Sequence, residues 1–306
     1  MYQALYRKWR PRTFEEVVGQ EHITTTLKNE MIQGKPAHAY LLMGSRGTGK
    51  TTCAKLIAKA VNCRNPVDGS PCGQCDCCRG VDNGSLVDVV EIDAASNNGV
   101  DNIRDLREEA VFLPNIAKYR VYIIDEAHML SVGAVNALLK IMEEPPEHVI
   151  FILATTEVHK IPATIQSRCQ RFDFKRIAPE VIRDRLLFIA GQEDMTLTEE
   201  AAALIARIAD GGMRDALSIF DQVVSFTNGN ITYQAVIDNL NVLDYEYYFR
   251  LTDCFLENRV SDALLLFNDV LNKGFDGSHF ITGLSSHCRD LLVSKDAATL
   301  PLLEVG

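Results

Sequence analysis

The pattern of apolar residues predicts an α/β fold in which a parallel sheet covered by helices gives way to an all-helical remainder. Four short β-rich apolar runs, His38 to Met43, Val87 to Ile92, Val121 to Ile124 and Val149 to Ala154, alternate with stretches of helical period. Such alternation is the signature of parallel strands joined through helical crossovers. Beyond about Ile177 the strands vanish. Helical runs take over there, including Glu199 to Asp210 and Ala216 to Val224, with breaks at Gly211-Gly212 and at Thr227 to Asn230. No internal repeat and no long linker interrupts the pattern.

Two helices of the first part can be read directly. After Thr51, Ala54, Ile57, Ala58 and Val61 share one helical face, and Val135, Leu138, Leu139 and Met142 repeat that spacing later. The second helix must stop at Pro145-Pro146, because a proline pair cannot continue the hydrogen-bond ladder. The 306 residues exceed what one core organises, which predicts two or three domains. With 47% hydrophobic and 24% charged residues, the composition is that of a folding, water-soluble chain.

The start of the chain is basic and aromatic and lacks a signal peptide's apolar segment, and no window holds about 18 uninterrupted apolar residues. A cytoplasmic protein without a membrane partner is expected. In that compartment the nine cysteines read as thiols or metal ligands and not as disulfides. The net charge of −10 argues against a general grip on nucleic acid, but residues 1 to 60 carry ten Lys or Arg against four Asp or Glu. Any polyanion contact is therefore confined to one face, and ordinary solvated charges around one nucleotide site explain the distribution equally well.

Three motifs carry chemistry. The first is the loop Gly44, Ser45, Arg46, Gly47, Thr48, Gly49, Lys50, Thr51, followed by Thr52, between an apolar strand and an amphipathic helix. Its glycines let backbone N–H groups turn toward phosphates, the helix adds its positive end, Lys50 reaches the β/γ oxygens and Thr51 offers a hydroxyl to Mg²⁺. The expected ligand is ATP with Mg²⁺. In the second motif, VYIIDEAH, an acidic pair ends a buried strand. Asp125 is expected to hold Mg²⁺ through water and Glu126 to polarise the attacking water. The third is Cys63, Cys72, Cys75 and Cys78, whose C-x2-C turns suit a tetrahedral structural Zn²⁺ with bonds of about 2.3 Å. Cys77 is an extra neighbouring thiol, and only the regular spacing favours Cys78. Cys53, Cys169, Cys254 and Cys288 are isolated and read as core residues.

Two arginines stand apart. Arg168 follows the fourth strand, where an exposed guanidinium can reach a neighbouring subunit's γ-phosphate. Arg214 opens a helix just after Gly211-Gly212, a place the helix dipole disfavours for a cation unless a phosphate lies nearby. An ordinary surface charge remains the competing reading for each.

The segments YRKWRPRTFEEVVGQEHI, GSRGTGKT, the four-cysteine loop, EIDAASNNGVDNIRDLRE, DEAHML, FILATTE, SRC and GGMRDALS together resemble, in order and over essentially the whole chain, the γ/τ family of bacterial DNA polymerase III subunits. The resemblance implies a P-loop AAA+ ATPase domain over residues 1–177 with a zinc-binding loop at 62–79. A helical lid domain over 178–242 and the start of a helical collar domain over 243–306 follow, the collar cut short at Gly306. It also implies a DNA-dependent ATPase that works in a ring with δ and δ′ subunits and further γ/τ copies. That ring opens the β sliding clamp and loads it on primed DNA beside the polymerase III core; no polymerase active site is expected in this chain.

Position by position, the resemblance gives Lys50 and Thr51 to phosphate and Mg²⁺, and Asp125 and Glu126 to metal and water. It makes Thr155, in preference to Thr156, the sensor beside the γ-phosphate. Arg168 becomes the finger inserted into an adjacent subunit's site, and Arg214 the sensor of the second domain. Arg10, Pro11, Val17 and Val18 shape the adenine pocket, and Arg104 and Arg107 are candidate DNA contacts. Two other readings are an AAA+ DNA-remodelling or branch-migration motor and a non-enzymatic ring scaffold, the latter opposed by the intact phosphate loop and acidic pair.

Overall fold

The computed structural model describes residues 3–227, 229–240, 245–300 and 303. The expected boundary at 242/243, Asn228 within the expected break, and the terminal Gly306 lie outside these. The chain forms two compact units, Met1–Ile182 with Ala209–Ser218, and Arg183–Ile208 with Ile219–Gly306.

In the first unit the chain runs α1 (Leu5–Lys8), α2 (Glu21–Gln33), β1 (Ala39–Gly44), α3 (Lys50–Asn62), α4 (Asp76–Asn83), β2 (Val89–Asp93), α5 (Val100–Glu109), β3 (Arg120–Asp125), α6 (Val132–Glu143), β4 (Val149–Thr155), α7 (Ala163–Gln166) and β5 (Gln170–Phe174). The strands pair in parallel in the order β2-β3-β4-β1-β5. Successive side chains point to opposite faces of a strand, and both faces are covered. Tyr40, Leu42, Val121, Ile123, Ile150 and Ile152 face one core with Ile23 and Leu27 of α2 and Ala54 and Ile57 of α3. Leu41, Tyr122, Ile124, Phe151 and Leu153 face the other with Ile103 of α5 and Leu138 of α6. Burial on both faces is why these strands read as continuous apolar runs.

All four expected strands are present within two residues of their expected ends. The fifth, β5, was not expected. As an edge strand it alternates, with Phe172 and Phe174 buried and Arg171 and Asp173 exposed, so it lacks a continuous apolar run. The α6 helix ends at Glu143, in front of Pro145-Pro146 as the sequence requires.

The second unit contains most of α8 (Pro179–Gln192), α9 (Glu199–Ile208), the greater part of α10 (Met213–Thr227), α11 (Tyr233–Leu240), α12 (Glu246–Leu256), α13 (Val260–Asn272) and α14 (Gly277–Val293). The expectation that strands vanish after Ile177 is corrected by a two-residue parallel pair, Thr196–Leu197 with Asn230–Ile231. Tyr248, Leu251, Cys254, Leu266, Val270 and Phe280 form a core among α12, α13 and α14. Cys288 is exposed on α14 and not a core residue as expected, Cys169 is half-buried, and Cys53 and Cys254 are buried as expected.

One buried carboxylate organises the segment that leads into β3. Asp88 is fully buried and accepts the backbone N–H groups of Asn115, Ile116 and Ala117 at 2.8, 2.8 and 2.9 Å. The Arg120 guanidinium lies 3.7 Å away and donates to the Glu109 carbonyl, while His148 Nε2 sits 3.0 Å from the carbonyls of Ala110 and Phe112. Burial alone would raise the Asp88 pKa, but the three N–H donors and Arg120 outweigh it and hold the carboxyl below its ordinary value. Its stabilisation is therefore present above the unfolded-state pKa of about 4 and is lost as pH falls through the lower folded-state value. Asp88→Asn is expected to cost about 2–4 kcal/mol in denaturant unfolding at pH 7, with the gap to wild type narrowing below about pH 4. A gap under about 1 kcal/mol at pH 7 would contradict this role.

Candidate nucleotide site and cysteine cluster

Parallel register sets the site at one edge of the sheet. Met43 lies beside Thr155, Gly44 beside Phe174 and Asp93 beside Asp125, so the phosphate loop, the acidic pair and the end of β4 share the carboxyl edge of the strands. That edge is where α/β sheets bind ligands, because the following helices point their N-termini toward it.

The loop conformation demands its glycines. Gly44, Gly47 and Gly49 have φ of +145°, +77° and +106°, in the range L side chains avoid. A Cβ on Gly44 would meet the Phe174 carbonyl oxygen at 2.3 Å, and one on Gly47 the Gly212 Cα at 2.9 Å. The Gly211-Gly212 break thus has a second role, since its backbone packs against the phosphate loop. Thr48 is buried and donates to the Ser45 carbonyl at 2.9 Å.

Lys50 opens α3 and is 6% exposed. Its Nζ donates to the carbonyls of Gly44 at 2.9 Å and Ser45 at 2.7 Å, which uses two of its three protons. Burial lowers its pKa, against which Glu126 and Asp125 favour the charged form. The Thr51 hydroxyl donates to Asp125 Oδ2 at 2.7 Å, and the Glu126 backbone N–H donates to Asp125 Oδ1 at 3.0 Å. Asp125 therefore joins the loop to the end of β3. Glu126 sits at φ +47°, left-handed for a non-glycine residue, which turns its side chain out of the strand direction.

The two threonines at the end of β4 differ. Thr155 is fully buried, its hydroxyl accepting the Glu157 N–H at 3.0 Å and lying 3.1 Å from His128 Nδ1. Thr156 instead donates to Glu126 Oε2 at 3.1 Å. Arg214 is the second residue of α10, and its guanidinium stacks over the Tyr6 ring at 5.4 Å. Arg10 donates to the Thr52 hydroxyl at 3.3 Å, and the guanidiniums of Arg10 and Arg214 repel one another. Val17 is buried in the core beside α2 and α3, and Pro11 and Val18 are half-buried. Arg46 lies in the phosphate loop, and Arg104 and Arg107 are exposed on α5.

Arg168 is placed elsewhere. In β5, Gln170 pairs with Tyr40 and Phe174 with Gly44, so Arg168 precedes the strand at the sheet's amino edge. There it donates to the Thr164 carbonyl at 2.8 Å and pairs with Glu143 at 3.1 Å. Sequence reasoning missed Gln20 and His128. The fully buried Gln20 donates to the Lys175 carbonyl at 2.7 Å, tying the amino-terminal segment to the residue that follows β5. Its only sequence signal is the Gly19 before it, at φ +73°.

The Sγ atoms of Cys63, Cys72, Cys75 and Cys78 lie within 4.8 Å of one another. Four thiolates on one Zn²⁺ at about 2.3 Å stand roughly 3.8 Å apart, so the cluster needs only a slight contraction and can hold zinc. Backbone N–H groups of Gln74 and Cys75 donate to Cys72 Sγ, and the thiol is lowered to about 6, with the Gln74 bond the largest cause. Cys78 lies in α4 and not in a loop, and so does Cys77, whose side chain packs with Val81 and Leu86 on the buried face. Adjacent helical residues point about 100° apart, which separates the core thiol from the ligand thiol.

The family model described as DNA polymerase III, delta subunit, matches residues 19–178, and that of the DNA polymerase III clamp loader subunit, ATPase lid domain, matches 181–229. The chain is 53% identical over 300 residues to DNA polymerase III subunit tau of Bacillus subtilis, covering 98% of this chain and 53% of that protein. It is 45% identical over 275 residues to subunit tau of Escherichia coli, covering 90% and 43%. To DNA polymerase III subunit gamma of Buchnera aphidicola from Acyrthosiphon pisum it is 42% identical over 275 residues, covering 90% and 76%.

The chain belongs to the DNA polymerase III tau/gamma family. It spans about half the length of the tau relatives it matches. Among solved structures, the Thermotoga maritima RuvB Holliday junction branch migration motor aligns with a TM-score of 0.57 at 19% identity, covering 82% of this chain and 80% of that one. At that identity the likeness shows the tau/gamma chain's fold, a P-loop α/β domain followed by helices. Among the described residues, no helix is long and apolar enough to cross a membrane.

The cysteine geometry of this tau/gamma chain sets an outcome for metal binding. Cobalt titrated into the metal-free chain is expected to give the intense thiolate charge-transfer absorption of a four-sulfur site in wild type and Cys77→Ser. In Cys78→Ser it should be weakened and shifted. Equal loss in both variants would overturn the ligand assignment.

Proposed function

We propose that this chain is the ATP-hydrolysing motor subunit of a DNA polymerase III clamp loader. The observation that carries the reading is the site's split layout. Lys50, Thr51, Asp125 and Glu126 converge at the carboxyl edge of the sheet, whereas Arg168 stands at the amino edge.

ATP is the substrate proposed for the loop, with its phosphates against the N–H groups of residues 44–51 and the third Nζ proton of Lys50 on a phosphate oxygen. Thr51 and Asp125 are the residues suited to Mg²⁺, which when bound would neutralise phosphate charge. Glu126 accepts the proton of the attacking water. Thr156, whose hydroxyl holds Glu126, suits the sensor role better than the internally satisfied Thr155. Arg214 beside the loop suits a second sensor, and Arg10, Pro11, Val17 and Val18 are the residues proposed to shape the adenine pocket. Structural Zn²⁺ is the ion proposed for Cys63, Cys72, Cys75 and Cys78.

The strands between the two edges are five to seven residues long, which at about 3.3 Å per residue spans roughly 16–23 Å. Arg168 therefore suits the γ-phosphate of a neighbour in a ring with further tau/gamma copies, δ and δ′. A protein contact also has a surface ready for it. The turn pinned by Asp88, Arg120 and His148 presents Val111, Phe112, Leu113 and Ile116 at 60–74% exposure. Solvent-facing apolar groups held on that turn suit a protein partner, and the β sliding clamp, primed DNA and the polymerase core are the partners proposed in the cytoplasm. We read residues 1–177, 178–242 and 243–306 as ATPase, lid and collar portions. The polymerase reaction belongs to the assembly's other subunits.

In the loader assembled from the full-length protein, Arg168→Ala is expected to lower DNA-stimulated ATP hydrolysis by about 10³-fold or more while nucleotide affinity stays within about twofold. Full ATPase activity in that variant would refute the proposed layout.

A further inference from the structure

We propose that His128 is a positioning residue that fixes the carboxylate of Glu126 through its Nδ1 side, with Glu157 orienting the imidazole from behind. The proposal rests on the reading of Glu126 as the residue that activates water. His128 lies in the 3₁₀ turn Ala127–Met129, directly after the acidic pair, and its side chain is only 7% exposed. Each ring nitrogen faces a carboxylate: Nδ1 lies 3.4 Å from Glu126 Oε2 and Nε2 lies 3.3 Å from Glu157 Oε1. Nδ1 is also 3.1 Å from the Thr155 hydroxyl, which is itself fixed by the Glu157 backbone N–H.

Glu157 is in turn anchored by Lys160, whose Nζ stands 2.9 Å from Oε1 and 2.8 Å from Oε2. The Glu157 carboxylate behind the imidazole fixes the ring's orientation, and a proton on Nδ1 is what lets the ring donate toward Glu126 Oε2. Glu126 Oε2 is thereby held from two sides, by Thr156 and by His128, while its backbone is confined at φ +47°. Thr156 alone would leave the carboxylate free to swing about that single bond. Misplacing a water-activating group by about 1 Å can cost on the order of 10²-fold in rate without changing how substrate binds.

The same chain of contacts leads away from the site. Glu157 begins the turn Val158–Lys160, and Gln166 of α7 donates to the carbonyls of Val158 at 3.3 Å and Ile161 at 2.8 Å. Arg168 follows two residues later. His128 thus stands between the chain's own Glu126 and the segment carrying the arginine proposed to serve a neighbour.

Side-chain replacements separate positioning from packing, because asparagine places its amide near Nδ1 and glutamine near Nε2. In the loader assembled from the full-length protein, His128→Ala is expected to lower kcat for ATP hydrolysis at least 10-fold with nucleotide affinity within twofold of wild type. His128→Asn is expected to recover most of that loss and His128→Gln little of it, both with unchanged melting temperature. The proposal is overturned if kcat is unaffected, if Asn and Gln recover equally, or if affinity falls in step with kcat. Lys50→Ala serves as the control for the underlying reading. If it leaves nucleotide affinity unchanged, the nucleotide-site assignment fails first and the His128 proposal with it.

Discussion

Parallel, in-register pairing of five strands is the constraint on which the rest of the structure depends. It brings the ends of β1, β3 and β4 to one edge, so that groups 74 residues apart in the chain, Thr51 and Asp125, meet at 2.7 Å. It also fixes what cannot meet. Arg168 enters the sheet at the opposite edge, and no side-chain rotation spans a strand of five residues or more. A one-residue slip of β4 against β1 would exchange the two apolar faces and bury Ile150 and Ile152 on the wrong side, so the core enforces the register that builds the site.

Within that frame the site is assembled by backbone strain and buried charge. Lys50 is removed from water by the loop that it braces, and burial weakens its charged form. Asp125 and Glu126 supply the compensating negative charge. Gly44, Gly47 and Gly49 reach positive φ without strain, whereas the left-handed Glu126 is a conformation with a cost, held because the surrounding contacts over-determine it. The cysteine module follows a different logic. Its own apolar cluster, Cys77, Val81 and Leu86 with a few half-buried neighbours, is too small to fix four thiols by packing, and a metal cross-link suits a segment with so little core.

Much of this was legible from residue order alone. The central strands announced themselves because burial on both faces forces unbroken apolar runs, and the loop and acidic pair because their chemistry needs fixed spacings. Strand β5 was not legible, since an edge strand of alternating polarity resembles a loop, and neither was the two-residue pairing at Thr196–Leu197, which no periodicity can reveal. The packing of Gly212 against Gly47 was read only as a helix break, because close approach of two backbones leaves no composition signal. The hydroxyls of Thr155 and Thr156 were indistinguishable by type and are separated by the side of β4's end on which each falls. Cys288 was misjudged because a lone cysteine carries no mark of which helix face it occupies.

In the proposed loader each hydrolytic site is completed by an arginine from another subunit, so two inactive variants, mixed, should complement one another. ATP hydrolysis would be measured in loader complexes assembled from Lys50→Ala protein, from Arg168→Ala protein, and from both together. Recovery of activity only in the mixed complexes is expected, because Lys50→Ala subunits still carry Arg168 for neighbours whose phosphate loops are intact. Mixed complexes as inactive as either parent would contradict it.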